Sequence, residues 1–262
     1  MVLIESLQNQ QLKLYRSLAK RKYRQKYGLL PLEGTRLIGE ALLRNVELKY
    51  MLLRGEAQLE DFPLPCAPPA AVKVFNVAEK VFAQTAFTDS PQGILAVAVQ
   101  PQAALEAAFA QEAPLILVAD GVQDPGNLGT MMRSAAAAGA GGIVLLPGTV
   151  DAGNPKTLRA SMGAYFALPV VEASFTALQH KLEQHQVQLV VTDSRAALTY
   201  DQYNWQQPAA VVIGNEGAGV SAPVKAAASA AVSIPMAAAI ESLNAAIAMS
   251  VLFFEAARQR RR

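Results

Sequence analysis

Leu115-Ile116-Leu117-Val118-Ala119, running into Asp120 and the polar loop Gly121-Val122-Gln123-Asp124-Pro125-Gly126-Asn127, decides the fold of this chain. Five apolar residues with no polar interruption describe a strand buried on both faces rather than one half open to water. Runs of the same kind return at Ile143–Leu146, Leu168–Val171, Gln188–Val191, Ala210–Ile213 and Ala231–Ile234. Helical patterns lie between them: Asn127 to Ala138 with Gly139 as its stop, a helix opened by Asn154-Pro155, and Phe175 to about His185. Buried strands alternating with helices build a parallel sheet covered on both sides, an α/β fold. Such sheets take ligands at the carboxyl ends of their strands. Three polar loops fall there: Asp120–Arg133, Gly214–Ser221 and Pro235–Asn244.

The third loop leads into an apolar helix that ends near Arg258. Ser242 stands where an N-cap belongs and Asn244 falls in the first turn. Behind them Ala245, Ala246, Ile247, Ala248, Met249, Val251, Leu252 and Phe253 are apolar almost all round, which predicts a buried helix. Polar residues at its mouth fit either simple capping or a ligand site at a helix N-terminus.

The first hundred residues read differently. Residues 11–27 hold seven basic residues and no acidic one, with Tyr15, Tyr23 and Tyr27 interleaved. Leu7, Leu14 and Leu18 keep helical spacing, so the stretch predicts one helix stopped by Gly28. A basic, tyrosine-bearing helix suits a surface that tracks phosphates and stacks on bases; a solvated helix face would carry the same charges. A second helix opens at Glu33-Gly34-Thr35-Arg36 and runs through Leu43, and a strand follows at Leu48–Leu53. After a proline-rich loop at 61–70 come a strand at Val72–Phe75, a short helix at Ala78–Phe82 and a buried strand at Gly93–Val99. These elements make one small α/β domain, and the Ala- and Gln-rich stretch Pro101–Pro114 reads as its linker, dividing the chain into 1–104 and 105–262.

Composition narrows the function. Of 262 residues, 52% are apolar and 17% charged, which excludes a disordered chain. Residues 1–100 carry 13 Lys and Arg against 9 Asp and Glu, whereas 101–262 carry 10 against 12, four of the ten being Arg258, Arg260, Arg261 and Arg262. The excess in the first half points to an anionic partner. Cys66 is the only cysteine, and His180 and His185 have no carboxylate constellation around them, so no metal site is expected. Met1-Val2-Leu3-Ile4 runs at once into Glu5, which gives no signal peptide. Glu241, Ser242 and Asn244 interrupt the longest apolar stretch, which excludes a membrane span and leaves the cytoplasm as the expected compartment.

The loops supply the chemistry. Asn127 sits at a helix mouth and Arg133 on the second turn, on a helix otherwise made of Ala and Met, where a guanidinium calls for phosphate or carboxylate. Gly214-Asn215-Glu216-Gly217-Ala218-Gly219 allows close backbone approach but is no phosphate loop: it lacks the Gly-Lys-Ser/Thr ending, and Glu216 would repel a phosphate.

Taken together, the loops resemble the motifs of the SpoU/TrmH family of RNA ribose 2′-O-methyltransferases, within the larger group of knotted methyltransferases. Asn127-Leu128-Gly129 with Arg133-Ser134-Ala135 looks like the first motif, Gly214 to Gly219 like the second, and Ile234-Pro235-Met236 with Ser242-Leu243-Asn244 like the third. Arg159-Ala160-Ser161-Met162-Gly163-Ala164 is also similar to the family. A weaker likeness over 5–100, through Lys13, Lys20-Arg21, Glu33-Gly34-Thr35-Arg36 and Gln92-Gly93-Ile94-Leu95-Ala96, points to the family's substrate-binding domain. Ser134 replaces the usual Thr, Glu241 a small residue, and Ala245-Ala246 a more usual Val-Ser.

The resemblance implies a parallel-sheet domain with a C-terminal trefoil knot, preceded by a small RNA-binding domain. It implies S-adenosylmethionine (SAM) as methyl donor, held by Gly214, Asn215, Ile234 and Leu243, with Met236 lining the adenine pocket. Arg133 would clamp the RNA phosphate beside the reacting ribose, Asn127 and Glu216 would orient it, and Ser242 and Asn244 would shape the hydroxyl's pocket. RNA would bind Lys13, Arg16, Lys20, Arg21, Arg24 and Arg36, and two copies would pair through the final helix. Large-subunit ribosomal RNA is the expected substrate, with transfer RNA, or RNA binding without catalysis, as the alternatives.

Overall fold

The structure, a computed structural model, describes residues 3–237 and 242–261. Glu241 and Arg262 lie outside the described residues, as do Met1 and Val2. The chain divides into two units: residues 1–101 with 153–166, and 102–152 with 167–262.

The first unit carries β1 (Leu3–Ile4), α1 (Gln10–Ser17), α2 (Arg21–Tyr27), β2 (Leu29–Glu33), α3 (Thr35–Leu43), β3 (Leu48–Arg54), β4 (Lys73–Val77), α4 (Glu79–Thr85) and β5 (Ile94–Val99). Its sheet runs β1-β4-β3-β5-β2, parallel among β1, β4 and β3 and antiparallel from β3 through β5 to β2. The sequence reading missed β2, because Pro31 argues against a strand. As an edge strand, β2 tolerates a residue with no N–H, and Pro31 pairs in register with Val97.

The single basic helix expected over 11–27 is two helices broken at Leu18–Lys20. Leu12, Tyr15 and Leu18 form the buried stripe of α1. An unbroken helix would carry that stripe on to Arg21 and Lys22, so the bend keeps two cations in water. Gly28 ends α2 with a left-handed φ of 64°, as the sequence indicates. Two residues assigned to the RNA surface turn inward instead. Arg24 is only 3% exposed and donates to the Leu18 carbonyl at the end of α1. Tyr15 is fully buried, stacks on Phe87 at 5.0 Å and donates its hydroxyl to the Leu32 carbonyl. Burial first, then the Glu33 carboxylate, pushes its phenol well above the ordinary value.

The second unit is built on β6 (Leu115–Asp120), α5 (Pro125–Ala137), β7 (Gly142–Leu145), β8 (Val170–Glu172), α7 (Phe175–Gln184), β9 (Gln188–Thr192), β10 (Ala209–Gly214), α8 (Ala222–Ala226), β11 (Ala230–Val232) and α9 (Ala245–Arg260). Its strands are all parallel, in the order β11-β9-β10-β6-β7-β8. Every residue of β6 and β10 is buried, as their unbroken apolar runs require. At about 1.5–3 kcal/mol for each large apolar side chain, these central strands supply much of the unit's cohesion. The chain leaves β6 toward β7 on one side, while β10 pairs with β6 on the other. Strand order therefore reverses at β6, and the loops after β6 and β10 open beside that switch point.

Between β7 and β8 the chain crosses into the first unit. Residues 153–166, including α6 (Pro155–Ser161), belong to it, and Tyr165 is buried there within hydrogen-bond reach of Gln100. Gly163, at φ 93°, lies so close to Glu40 that a Cβ would sit 2.3 Å from its Cγ.

Arg258 and Arg260, near the end of α9, are tied to the fold. Arg258 pairs with Glu255 at 2.7 Å. Arg260 donates to the carbonyls of Trp205, Ala113 and Gln207 at 2.7, 2.7 and 2.9 Å, anchoring the end of α9 to the body of the unit. His185 stacks on Phe109 with centroids 4.9 Å apart and faces Glu106 at 2.7 Å, which accounts for it as a packing residue. Among the described residues no helix is long and apolar enough to cross a membrane.

Candidate active site

Three loops, which follow β6, β10 and β11 in the chain, meet at the carboxyl ends of those strands. The first tie is local to the sheet. The Asp120 carboxylate, ending β6, accepts the Ser221 amide at 2.7 Å, and Asn215 Nδ2 donates to the Gly121 carbonyl at 2.9 Å. Asn215 Oδ1 accepts the amides of Gly217 and Ala218, both at 2.9 Å, so its side chain is spent on shaping its own loop. The loop folds back so tightly that a Cβ on Gly214 would stand 2.2 Å from the Gly219 carbonyl carbon and the Val220 nitrogen. Only glycine fits there, because the obstacle is backbone.

The second tie spans all three loops. Glu216 Oε1 accepts from Asn127 Nδ2 at 2.9 Å and from the Asp124 amide at 3.2 Å, while Oε2 accepts the Gln123 amide at 3.1 Å. Asn127 Oδ1 in turn accepts from Asn244 Nδ2 at 2.9 Å. Asn244 Oδ1 then accepts the amides of Ala246 and Ile247 at the mouth of α9. The polarity of this relay has one source. An ionised carboxylate can only accept, so it turns the Asn127 amide group toward itself and the Asn127 oxygen toward Asn244. Asn244 must then present its own oxygen to the helix.

Partial burial raises the Glu216 pKa, but the donors from Asn127, Gln123 and Asp124 outweigh it and hold the carboxyl below the ordinary glutamate value. A folded pKa below the unfolded one means the tie is in force above the ordinary carboxylate range. It is lost as pH falls through the depressed value. At neutral pH Glu216 is ionised.

Two caps differ from the sequence reading. Ser242 is exposed and precedes the cap; Asn244 is the N-cap of α9. Asn127 is not the start of α5: Asp124 is its N-cap, accepting the Asn127 amide at 2.8 Å, and Pro125 is its first residue. The Asp-Pro pair carried the same cap signal that Asn154-Pro155 carried, and Asn154 does cap its helix. Asp120 was also missed, although a carboxylate closing an otherwise apolar buried strand was the available signal.

Arg133 is exposed on α5, so it bears no burial cost of the kind that its Ala/Met surroundings suggest. Six residues turn an α-helix by about 600°, which places Arg133 about 120° round α5 from Asn127. Ser134 hydrogen-bonds Ser250 of α9 at 2.7 Å, which gives the hydroxyl at this position a packing role. Ile234 and Met236 are half-buried, Gly214 is buried and Leu243 is 36% exposed. In the first unit Lys13, Arg16, Lys20, Arg21 and Arg36 are exposed. Among the described residues no group of three His, Cys, Asp or Glu is arranged to hold a metal ion.

The model of the SpoU rRNA methylase family matches residues 114–254. This chain belongs to that family. An MRM3-like substrate binding domain matches residues 9–96. The 23S rRNA (guanosine(2553)-2′-O)-methyltransferase RlmP of Bacillus subtilis (strain 168) is 34% identical over 251 residues, 96% of this chain and 97% of its own. The crystal structure of an AdoMet-bound rRNA methyltransferase from Sinorhizobium meliloti is 31% identical with a TM-score of 0.84, over 98% of this chain and 97% of its own. The SpoU methyltransferase AviRb from Streptomyces viridochromogenes, in complex with AdoMet, is 27% identical with a TM-score of 0.87, over 97% of this chain and 98% of its own.

Membership in the SpoU family makes S-adenosylmethionine the methyl donor, as the three motifs imply. The residues fit that role. Gly214, packed against the Gly219–Val220 backbone, and Ile234, Met236 and Leu243 carry no ionisable side chain, so none of these positions presents a charge to a sulfonium or an adenine. Gly214→Ala tests this packing. SAM affinity measured by calorimetry should fall by at least about tenfold, ~1.4 kcal/mol, with far-UV circular dichroism unchanged. An affinity within about twofold of wild type would contradict it.

Proposed function

We propose that this protein methylates a ribose 2′-hydroxyl of large-subunit ribosomal RNA, in the cytoplasm, as a homodimer. One observation carries the reading: the Glu216–Asn127–Asn244 relay joins all three family motifs at the switch point of a parallel sheet. Near full-length likeness to a relative named for 23S rRNA 2′-O-methylation supports the choice of RNA.

When bound, SAM supplies an electrophilic methyl group. The loop Gly214–Gly219, shaped by Asn215, would hold it together with Ile234, Met236 and Leu243. The chain's own task is to align the acceptor hydroxyl, and positioning supplies much of the acceleration of such a transfer. Arg133 would grip the RNA phosphate next to the ribose. A guanidinium keeps its protons at neutral pH, so the hydroxyl's proton leaves to the bound phosphate or to water. Glu216 and Asn127 act as positioning residues that hold the three loops together around Arg133. Ser242 and Asn244 line the approach to α9, Asn244 as its cap. Lys13, Arg16, Lys20, Arg21 and Arg36 would bind RNA phosphates; Arg24, buried, is not among them.

Helix α9 supports the dimer. Ile247 and Phe254, two turns apart on the helix, are 54% and 47% exposed. An apolar stripe of this kind is what a second copy covers in an isologous interface.

Two experiments test the reading. Arg133→Ala should lower transfer of labelled methyl from SAM to 23S rRNA more than about tenfold, leaving SAM affinity within about twofold; transfer within about threefold of wild type, under ~1 kcal/mol of barrier, contradicts the clamp. Phe254→Asp should convert a dimer to monomer in sedimentation equilibrium. A wild-type protein that is monomeric at micromolar concentration contradicts the interface.

A further inference from the structure

The break between α1 and α2 separates the three tyrosines of the basic segment into different roles. Tyr15 points into the core. Tyr23 is half-buried and packs against the same core cluster, and Tyr27, one turn on, is 45% exposed. Their rings are parallel to within 10°, with centroids 6.3 Å apart. The first ring is therefore braced by the core and the second is held alongside it in water. Ordering an exposed aromatic costs rotamer freedom that Tyr27 does not recover by burial.

Each ring also has its own cation. Lys22 Nζ lies over the Tyr23 ring, 4.9 Å from its centroid, and Lys26 Nζ lies over the Tyr27 ring at 5.2 Å. No acidic residue occurs between Glu5 and Glu33, so nothing on this part of the chain offsets the charge. An ammonium on a flexible stem over each ring, at i and again at i+4, can swing to an anion and free the ring face, which complements a ligand made of a flat ring joined to an anion. A nucleotide is such a ligand. Stacking needs an open base face, which a duplex does not offer, so the nucleotide must be unpaired.

We propose that Tyr23 and Tyr27 of α2 form a stacking platform for an unpaired nucleobase of the substrate RNA, with Lys22 and Lys26 meeting its phosphates. The proposal rests on the RNA-methyltransferase reading and sharpens it: the RNA bound by this unit presents a loop, bulge or single strand here, not a continuous helix.

The test uses the full chain, fluorescence anisotropy, and two probes of about 12 nucleotides, one single-stranded RNA and one blunt RNA duplex. Tyr27→Ala and Tyr27→Leu should each weaken the single strand by about tenfold and the duplex by less than about twofold, because a lost stack leaves phosphate contacts intact. Tyr27→Phe, which keeps the ring, should bind the single strand within about twofold of wild type. Tyr27 is exposed, so these variants keep the fold, checked by unchanged thermal unfolding and SAM affinity. Equal losses on both probes, or a Tyr27→Ala variant within about twofold on the single strand, overturn the platform. Failure of the function itself reads out separately, as a wild-type chain that takes up no SAM or leaves 23S rRNA unmethylated.

Discussion

The negative charge of Glu216 is the constraint on which the site depends. It is an acceptor with no proton to give, placed where two backbone amides and one side-chain amide converge. From that single fact the orientation of Asn127 follows, then that of Asn244, then the capping of α9. A loop after β10 thereby sets the conformation of a loop after β6 and of a helix that starts about thirty residues later in the chain. Charge-assisted bonds are about twice as strong as neutral ones, which suits the carboxylate to lead the relay. The glutamate that excludes a phosphate-binding reading of its glycine-rich loop is the residue that fastens the motifs together.

Much of the second unit was legible because its chemistry is redundant. Unbroken apolar strands of this length have few alternatives, and all six were placed to within about two residues. The three loops were legible as a set through their order and spacing. Individual roles within them were not. Ser242 and Asn244 are both good caps by type, and only the geometry chooses Asn244. Asn127 and Asp124 are both caps by type, and the proline after Asp124 is the signal that marks it as the start of α5.

The first unit shows where a one-dimensional reading fails. Strand β2 hides behind Pro31, and the edge position that excuses it is a property of the sheet, not of the local sequence. The basic stretch 11–27 read as one surface because charge counts carry no direction. In the fold the bend at Leu18–Lys20 sends Tyr15 and Arg24 inward and leaves Tyr27 and its lysines in water. Likewise α9 is apolar on every side, yet Ile247 and Phe254 remain exposed in the single chain. The inference of a buried helix holds for one face and, on the proposed dimer, is completed by a second copy. The crossing of 153–166 into the first unit left no trace that composition or periodicity could register.

The most direct measurement of the central claim is a double-mutant cycle on SAM affinity, using Glu216→Gln, Asn244→Ala and the pair. If one carboxylate organises all three loops, each single variant weakens SAM binding. The double variant then loses less than the sum of the two, by about 1 kcal/mol of coupling. Additive losses, or single variants that bind SAM as wild type does, would mean that the loops are ordered independently and that the Glu216 relay does not govern the site.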